Sequence, residues 1–448
     1  MKKNIFIFTA IIISFLQSTA QTLEGQLKQH AGQTITLTGF DYYESFELAK
    51  TTVDSLGNFS LNYSKTYNGM GILQTQDNTS LVVVLTEPTI KIQGTTLRDL
   101  DSLKFENSIE NQNLKEIAST YNSTNQAYSA WRFLQPKYQK EKALREQKKV
   151  MSIINKELFR LEQANQNKLN SIDKNLYVYW FAPLRKLIND MPQSAKNYTE
   201  RIAQNIQAFR NIDLNNKHFK TSGLFKDLLE GHYMLLENMG QPLDSVYKQM
   251  NISTKYIIDH LKYNETLLNK VSEALFNYFE KRSLFEVSEF LSVALLNDNQ
   301  CTLEENLIQK LERYRKLKVG VTAPDIQLSN NQKLSDIKTS KLLVFGASWC
   351  PTCKDDALTL LGYYDAWKTQ KNIAVIYISL DTDKATFEEA YKHAPWQMYC
   401  DFKGWDSQAA KDYFVDGTPT YFLLDANNTI LVRPNSLMHA DVWIKHKL

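Results

Sequence analysis

The chain has 448 residues, 43% of them hydrophobic and 23% charged, which is enough apolar material for packed cores and too little polar bias for wholesale disorder. A net charge of +3 is too small to advertise a nucleic-acid or anionic-membrane surface, and four cysteines in so long a chain do not make a disulfide framework. At about 150 residues per domain, the length suggests roughly three domains.

Lys2 and Lys3 precede an apolar run from Ile5 to Leu16, and Ser18-Thr19-Ala20 then places small residues at a cleavage site. Residues 1–20 therefore read as a secretory signal peptide. The run is too short to span a hydrocarbon core of about 30 Å as an ordinary helix, an uncleaved anchor being the alternative. No cysteine stands near the cut, so no lipid anchor is expected, and no later stretch is apolar for long enough to span a membrane. The mature protein is expected to begin at Gln21 and to work in a disulfide-permissive periplasm or cell envelope.

Residues 21–107 show short alternating runs, such as Thr34-Ile35-Thr36-Leu37-Thr38 and Leu81-Val82-Val83-Val84-Leu85, punctuated by turn clusters such as Asp54-Ser55-Leu56-Gly57-Asn58-Phe59. This predicts a small antiparallel, sandwich-like β-domain. Residues 108–318 change texture. Val150, Ile154, Leu158, Leu161 and Ala164 recur at helical steps, as do Leu268, Val271, Leu275 and Phe279, predicting an α-helical domain. Pro183, Pro192 and Pro242 are expected to punctuate it, and Thr302 with Glu305 reads as a capping box opening its last helix. Residues 319–448 alternate strand and helix patterns, predicting an α/β unit.

The chemistry concentrates in that last third. An apolar run, Leu342-Leu343-Val344-Phe345, leads into Trp349-Cys350-Pro351-Thr352-Cys353 and then a helical pattern. Two cysteines three positions apart at a helix N-terminus have a definite use. Unpaired N–H groups and the helix dipole stabilise an anion there, making Cys350 the attacking thiolate and placing Cys353 one turn on to resolve a mixed disulfide. Pro351 suits the first turn because its missing N–H would lack a partner anyway. Structural zinc is the chemical competitor. The seven histidines are scattered and complete no ligand set, so no metal is expected. A merely structural disulfide is the other alternative.

These residues resemble the active site of exported thioredoxin-fold thiol-disulfide oxidoreductases of the ResA and TlpA kind. Gly320-Val321-Thr322-Ala323-Pro324-Asp325, Leu334-Ser335-Asp336-Ile337, the strand from Ile373 ending in Asp381, Gly404-Trp405-Asp406-Ser407 and Gly417-Thr418-Pro419-Thr420-Tyr421 follow in that family's order over residues 319–435. The resemblance implies a C-terminal thioredoxin fold and a redox-active Cys350–Cys353 disulfide with no other cofactor. It also implies a cis Pro419, with the backbone of Thr418 offered to a client strand. Where cytosolic thioredoxins carry a buried Asp this chain has Val344. Where ResA-like proteins carry a Glu it has Asp356, which shares a helix face with Cys353 and could take its proton or merely answer the dipole. Leu358 stands where the family has a helix-kinking proline.

By the same resemblance, the reaction is reduction of disulfides on exported client proteins, with re-reduction by a membrane thiol-electron donor, as in cytochrome c-type biogenesis. Oxidase or isomerase activity stays open, since direction depends on potential. A non-catalytic client-binding scaffold also stays open, the β-domain resembling one of unknown function that precedes thioredoxin domains in envelope proteins. Cys301, read as opening a helix, and Cys400 are expected to be isolated buried thiols, a disulfide between them being the alternative. Tyr177, Tyr179, Trp180 and Phe181 are expected to pack in a core. The basic run Lys137 to Lys149, interleaved with Glu141 and Glu146, is expected to be a solvated helix face. His439 and His446 lack a third ligand for copper.

Overall fold

The computed structural model describes residues 20–197, 199–329 and 331–448, so the expected leader lies outside the described residues except for Ala20. The chain divides into two compact units, one reaching to Ile212 and including Asn216–Met239, the other comprising Asp213–Asn215 and Gly240–Leu448.

The first unit opens with strands β1 (Ala20–Leu27), β2 (Thr34–Asp41), β3 (Glu44–Thr52), β4 (Asn58–Ser64), β5 (Gly69–Thr75), β6 (Ser80–Leu85), β7 (Thr89–Gly94) and β8 (Lys104–Phe105). They form two four-stranded sheets, ordered β4-β1-β7-β8 and β3-β2-β5-β6. Period-two alternation turns Leu23, Leu27, Leu61 and Ile90 of one sheet and Ile35, Leu37, Leu73 and Val83 of the other into one core. The pairing is antiparallel except that β1 and β7 run parallel, Leu23 beside Ile90, a departure from the all-antiparallel expectation. The Asp54 carboxylate accepts from the amides of Leu56 at 2.9 Å and Asn58 at 2.7 Å, closing the turn into β4. Gly57 takes φ +87 there, and a Cβ would meet the Lys28 backbone at 2.7 Å.

Helices α1 (Ile109–Lys140), α2 (Lys148–Asn170), α3 (Tyr177–Lys196), α4 (Ile202–Phe209) and α5 (Phe225–Glu237) complete this unit. The expectation about prolines is corrected, because Pro183 and Pro192 lie within α3 and Pro136 within α1. The basic run is not one helix face either: it crosses the end of α1, the connector and the start of α2. Tyr177 and Phe181 are buried in α3 while Tyr179 faces solvent. The first amides of α3 have no local cap, and a buried acid from α1 supplies it. Glu110 accepts from Tyr177 N at 2.7 Å and Val178 N at 3.0 Å.

The second unit begins with α6 (Leu243–Leu261), α7 (Glu265–Lys281), α8 (Phe285–Asn297) and α9 (Glu305–Lys316), so the helical stretch is shared between the units. The expected Thr302–Glu305 box does not form. Asn269 of α7 instead accepts from Glu304 N at 2.8 Å and donates to the Thr302 carbonyl at 2.9 Å, so a side chain distant in sequence closes the start of α9. There follow β9 (Gln327–Ser329), β10 (Gln332–Lys333), β11 (Ser340–Gly346), α10 (Pro351–Lys371), β12 (Ile373–Ser379), α11 (Lys384–Tyr391), β13 (Gln397–Cys400), α12 (Gln408–Asp412), β14 (Thr420–Leu424), β15 (Ile430–Val432) and α13 (Leu437–Lys447).

The main sheet runs β13-β12-β11-β14-β15, with β11, β12 and β13 parallel and β14 and β15 antiparallel to their neighbours. Strand β11 is buried on both faces. Leu342 and Val344 pack with α10 and α13, whereas Leu343 and Phe345 pack in a second cluster that includes both Cys350 and Cys353. Helices α8 and α9 are joined to this sheet. The Arg433 guanidinium lies 4.3 Å from the Tyr314 ring centre and 5.1 Å from that of Phe422, and Glu289 accepts from Val319 N at 3.0 Å. Among the described residues no helix is long and apolar enough to cross a membrane.

Glu110→Ala should destabilise the first unit by about 2 kcal/mol in urea denaturation, because two buried amides lose their acceptor. Burial raises the Glu110 carboxyl above its ordinary range. The native state therefore holds that proton more tightly than the unfolded chain, stability falls as pH rises through the carboxylate range, and Glu110→Gln should flatten that slope.

Candidate functional site

Strand β11 delivers the chain to Ala347-Ser348-Trp349, and α10 starts immediately beyond it at Pro351. Cys350 is the N-cap of α10, and its Sγ accepts from the Cys353 amide at 3.1 Å. A sulfur here stands in for the hydroxyl or carboxylate that usually caps a helix, which places it where the helix dipole favours negative charge. Cys350 and Cys353 are disulfide-bonded, with Cα atoms 5.3 Å apart. Both are buried, while Trp349, Pro351 and Thr352 around them are exposed.

The facing wall is the loop before β14. The Thr418–Pro419 bond is cis, and the Thr418 carbonyl oxygen lies 3.5 Å from Cys350 Sγ. This loop is held from α9: Arg313 pairs with Asp416, and Arg313 and Lys316 sit over the Phe414 ring at 5.6 and 5.9 Å. Trp405, 47% exposed, brings its ring centre to 6.0 Å from that of Trp349, so an open aromatic pair borders the disulfide.

Asp356 lies one turn beyond Cys353 on α10 and accepts a hydrogen bond from the buried Tyr421 hydroxyl of β14. Burial holds the Tyr421 phenol well above its ordinary value, and the neighbouring carboxylate adds to this, so it remains a donor. Val344 pairs with Tyr421 across β11 and β14 and is buried and apolar. Helix α10 runs unbroken through Leu358.

Sequence reasoning missed Tyr421 as a partner of Asp356. Its signal was its place two residues after Pro419, which strand alternation turns towards α10. Cys301 and Cys400 are free and half-buried, a correction to the expectation of full burial, and Cys301 lies in the connector before α9 rather than in a helix. Burial raises both thiols above their ordinary value. Among the described residues no cluster of three or more His, Cys, Asp or Glu could hold a metal ion.

Residues 339–430 match the family model described as thioredoxin-like. The tryparedoxin of Trypanosoma brucei brucei is 30% identical over 91 residues, covering 20% of this chain and 63% of that protein. A rice protein (Oryza sativa subsp. japonica) titled "Probable nucleoredoxin 3" is 39% identical over 74 residues, covering 15% of this chain and 16% of that protein. The chain thus spans less than two thirds of the length of either relative. Among solved structures, a thiol-disulfide oxidoreductase from Bacteroides fragilis is 32% identical, covering 29% of this chain and 100% of that one, with a TM-score of 0.27.

In the reduced protein at pH 7, brief iodoacetamide treatment should add one label, on Cys350. Cys301 and Cys400 stay largely as thiols because burial raises them, whereas Cys350 caps α10 where the helix dipole favours the thiolate. Peptide mass mapping checks this, and rapid labelling of Cys301 or Cys400 ahead of Cys350 would contradict it.

Proposed function

We propose that this chain, whose residues 339–430 form a thioredoxin-like domain, is an exported thiol-disulfide oxidoreductase that reduces disulfides of client proteins in the periplasm or cell envelope. The observation that carries this reading is the Cys350–Cys353 disulfide at the N-terminus of α10, facing the Thr418 carbonyl.

The reduced pair starts the reaction. The Cys350 thiolate attacks one client sulfur, the client disulfide breaks, and its other sulfur leaves as a thiolate that takes up a proton. Cys353 loses its proton and attacks Cys350 Sγ, the mixed disulfide breaks, and the second client sulfur is released. Two electrons pass to the client, leaving the Cys350–Cys353 disulfide. Asp356, one helical turn from Cys353 and held by Tyr421, suits the proton acceptor for that second step. The Thr418 backbone can pair with an extended client segment, and Trp349 and Trp405 can cover its apolar side chains. A membrane thiol-electron donor then returns the two electrons, and cytochrome c-type biogenesis is one process that needs such a reductant. The polarity of residues 1–20 supports export, and an envelope fraction whose N-terminal sequence begins at Gln21 would agree with it.

Insulin reduction with dithiothreitol as electron source tests the reading. Cys350→Ser should lower turnover at least about 100-fold, since the nucleophile is lost. Cys353→Ser should accumulate a client adduct on non-reducing gels, because the mixed disulfide cannot be resolved. Turnover by Cys350→Ser equal to that of the unaltered protein would overturn it and favour a binding role.

A further inference from the structure

A buried acid lies directly behind the redox turn without belonging to it. Asp381 follows β12 and is 2% exposed. Its Oδ1 and Oδ2 accept from the Ser348 amide at 3.2 and 3.1 Å, Oδ1 accepts from the Ser348 hydroxyl at 2.6 Å, and Oδ2 accepts from the Ser379 hydroxyl at 2.5 Å. From β13, the Cys400 thiol donates to the Asp381 carbonyl oxygen at 3.4 Å. The carboxylate itself accepts from the Ser348 amide and from the Ser348 and Ser379 hydroxyls, and among the described residues no Lys, Arg or His forms an ion pair with it.

Two consequences follow from that placement. Ser348 lies between the end of β11 and Cys350, so its three bonds to Asp381, two residues beyond β12, fix the start of the turn. Ser348 is also only two residues from Cys350. Two extended residues reach about 7 Å, so the carboxylate lies within about 10 Å of the Cys350 backbone. At that distance and an effective dielectric of about 20, one negative charge shifts the equilibrium of a neighbouring thiolate by about tenfold.

We infer that Asp381 is a positioning residue for the dithiol: its carboxylate pins the turn that carries Cys350, and its unneutralised charge disfavours the Cys350 thiolate and so drives the pair towards the disulfide. The inference rests on the redox reading of the Cys350–Cys353 pair, and it assigns the reducing tendency of that pair to an acid outside the motif.

The test is the equilibrium of the full-length protein with glutathione, in which reduced protein and oxidised glutathione give oxidised protein and two reduced glutathione molecules. It needs no client, so it is decided even if insulin is not a substrate. Asp381→Asn keeps an acceptor for Ser348 and removes the charge. It should lower the equilibrium constant for protein oxidation about tenfold, equivalent to about 30 mV towards a more oxidising pair. Ser379→Ala removes one donor that stabilises the charged carboxylate, and should move the constant in the same sense by a smaller factor. A folded Asp381→Asn variant whose constant stays within twofold of the unaltered protein, or a Ser379→Ala constant that rises, overturns the inference. If Asp381→Asn does not fold, the Ser379→Ala result decides alone.

Discussion

The hydrogen bond from the Cys353 amide to Cys350 Sγ is the contact on which the arrangement depends. It makes a cysteine the cap of α10, so the same first turn that begins the helix also receives the sulfur's charge. Pro351 can occupy the next position because no donor is lost there, and Cys353 follows at a helical spacing that lets it reach back to Cys350. Strand β11 makes this possible by being buried on both faces, which fixes where the turn emerges.

The opposite wall of the site is set by contacts of unequal weight. The Arg313–Asp416 pair is largely exposed and contributes about 0 to 1 kcal/mol. Arg433, set among Tyr314, Phe422 and Phe285, is withdrawn further from water, and such contacts reach about 2 kcal/mol. Attachment of α8 and α9 to the sheet therefore rests more on Arg433 and on packing than on the surface ion pair. The helices in turn brace the segment from Phe414 to Asp416 that leads to Thr418.

What could be read in the sequence was local. The period-two runs of the β-sheets, the apolar strand before Cys350 and the Cys-x-x-Cys spacing are properties of neighbouring residues, and each defines its own structure. The failures share the opposite property. The start of α9 is closed by Asn269 from α7, α3 is capped by Glu110 from α1, and Tyr421 and Asp381 reach Asp356 and Ser348 across the sheet. None of these pairings has a spacing to detect. Pro183 and Pro192 misled for a related reason, since the surrounding packing of α3 outweighs the local cost of a proline. Likewise, the division of the helices between two compact units depends on which faces meet, and a uniform helical texture does not record that.

The central claim is that the Cys350–Cys353 pair works as a reductant. It is tested most directly by the standard reduction potential of the unaltered protein, obtained by equilibration against defined thiol buffers. The account predicts a value in the range of thioredoxin, about −270 mV, and a value near the roughly −120 mV of a strong oxidant would contradict it.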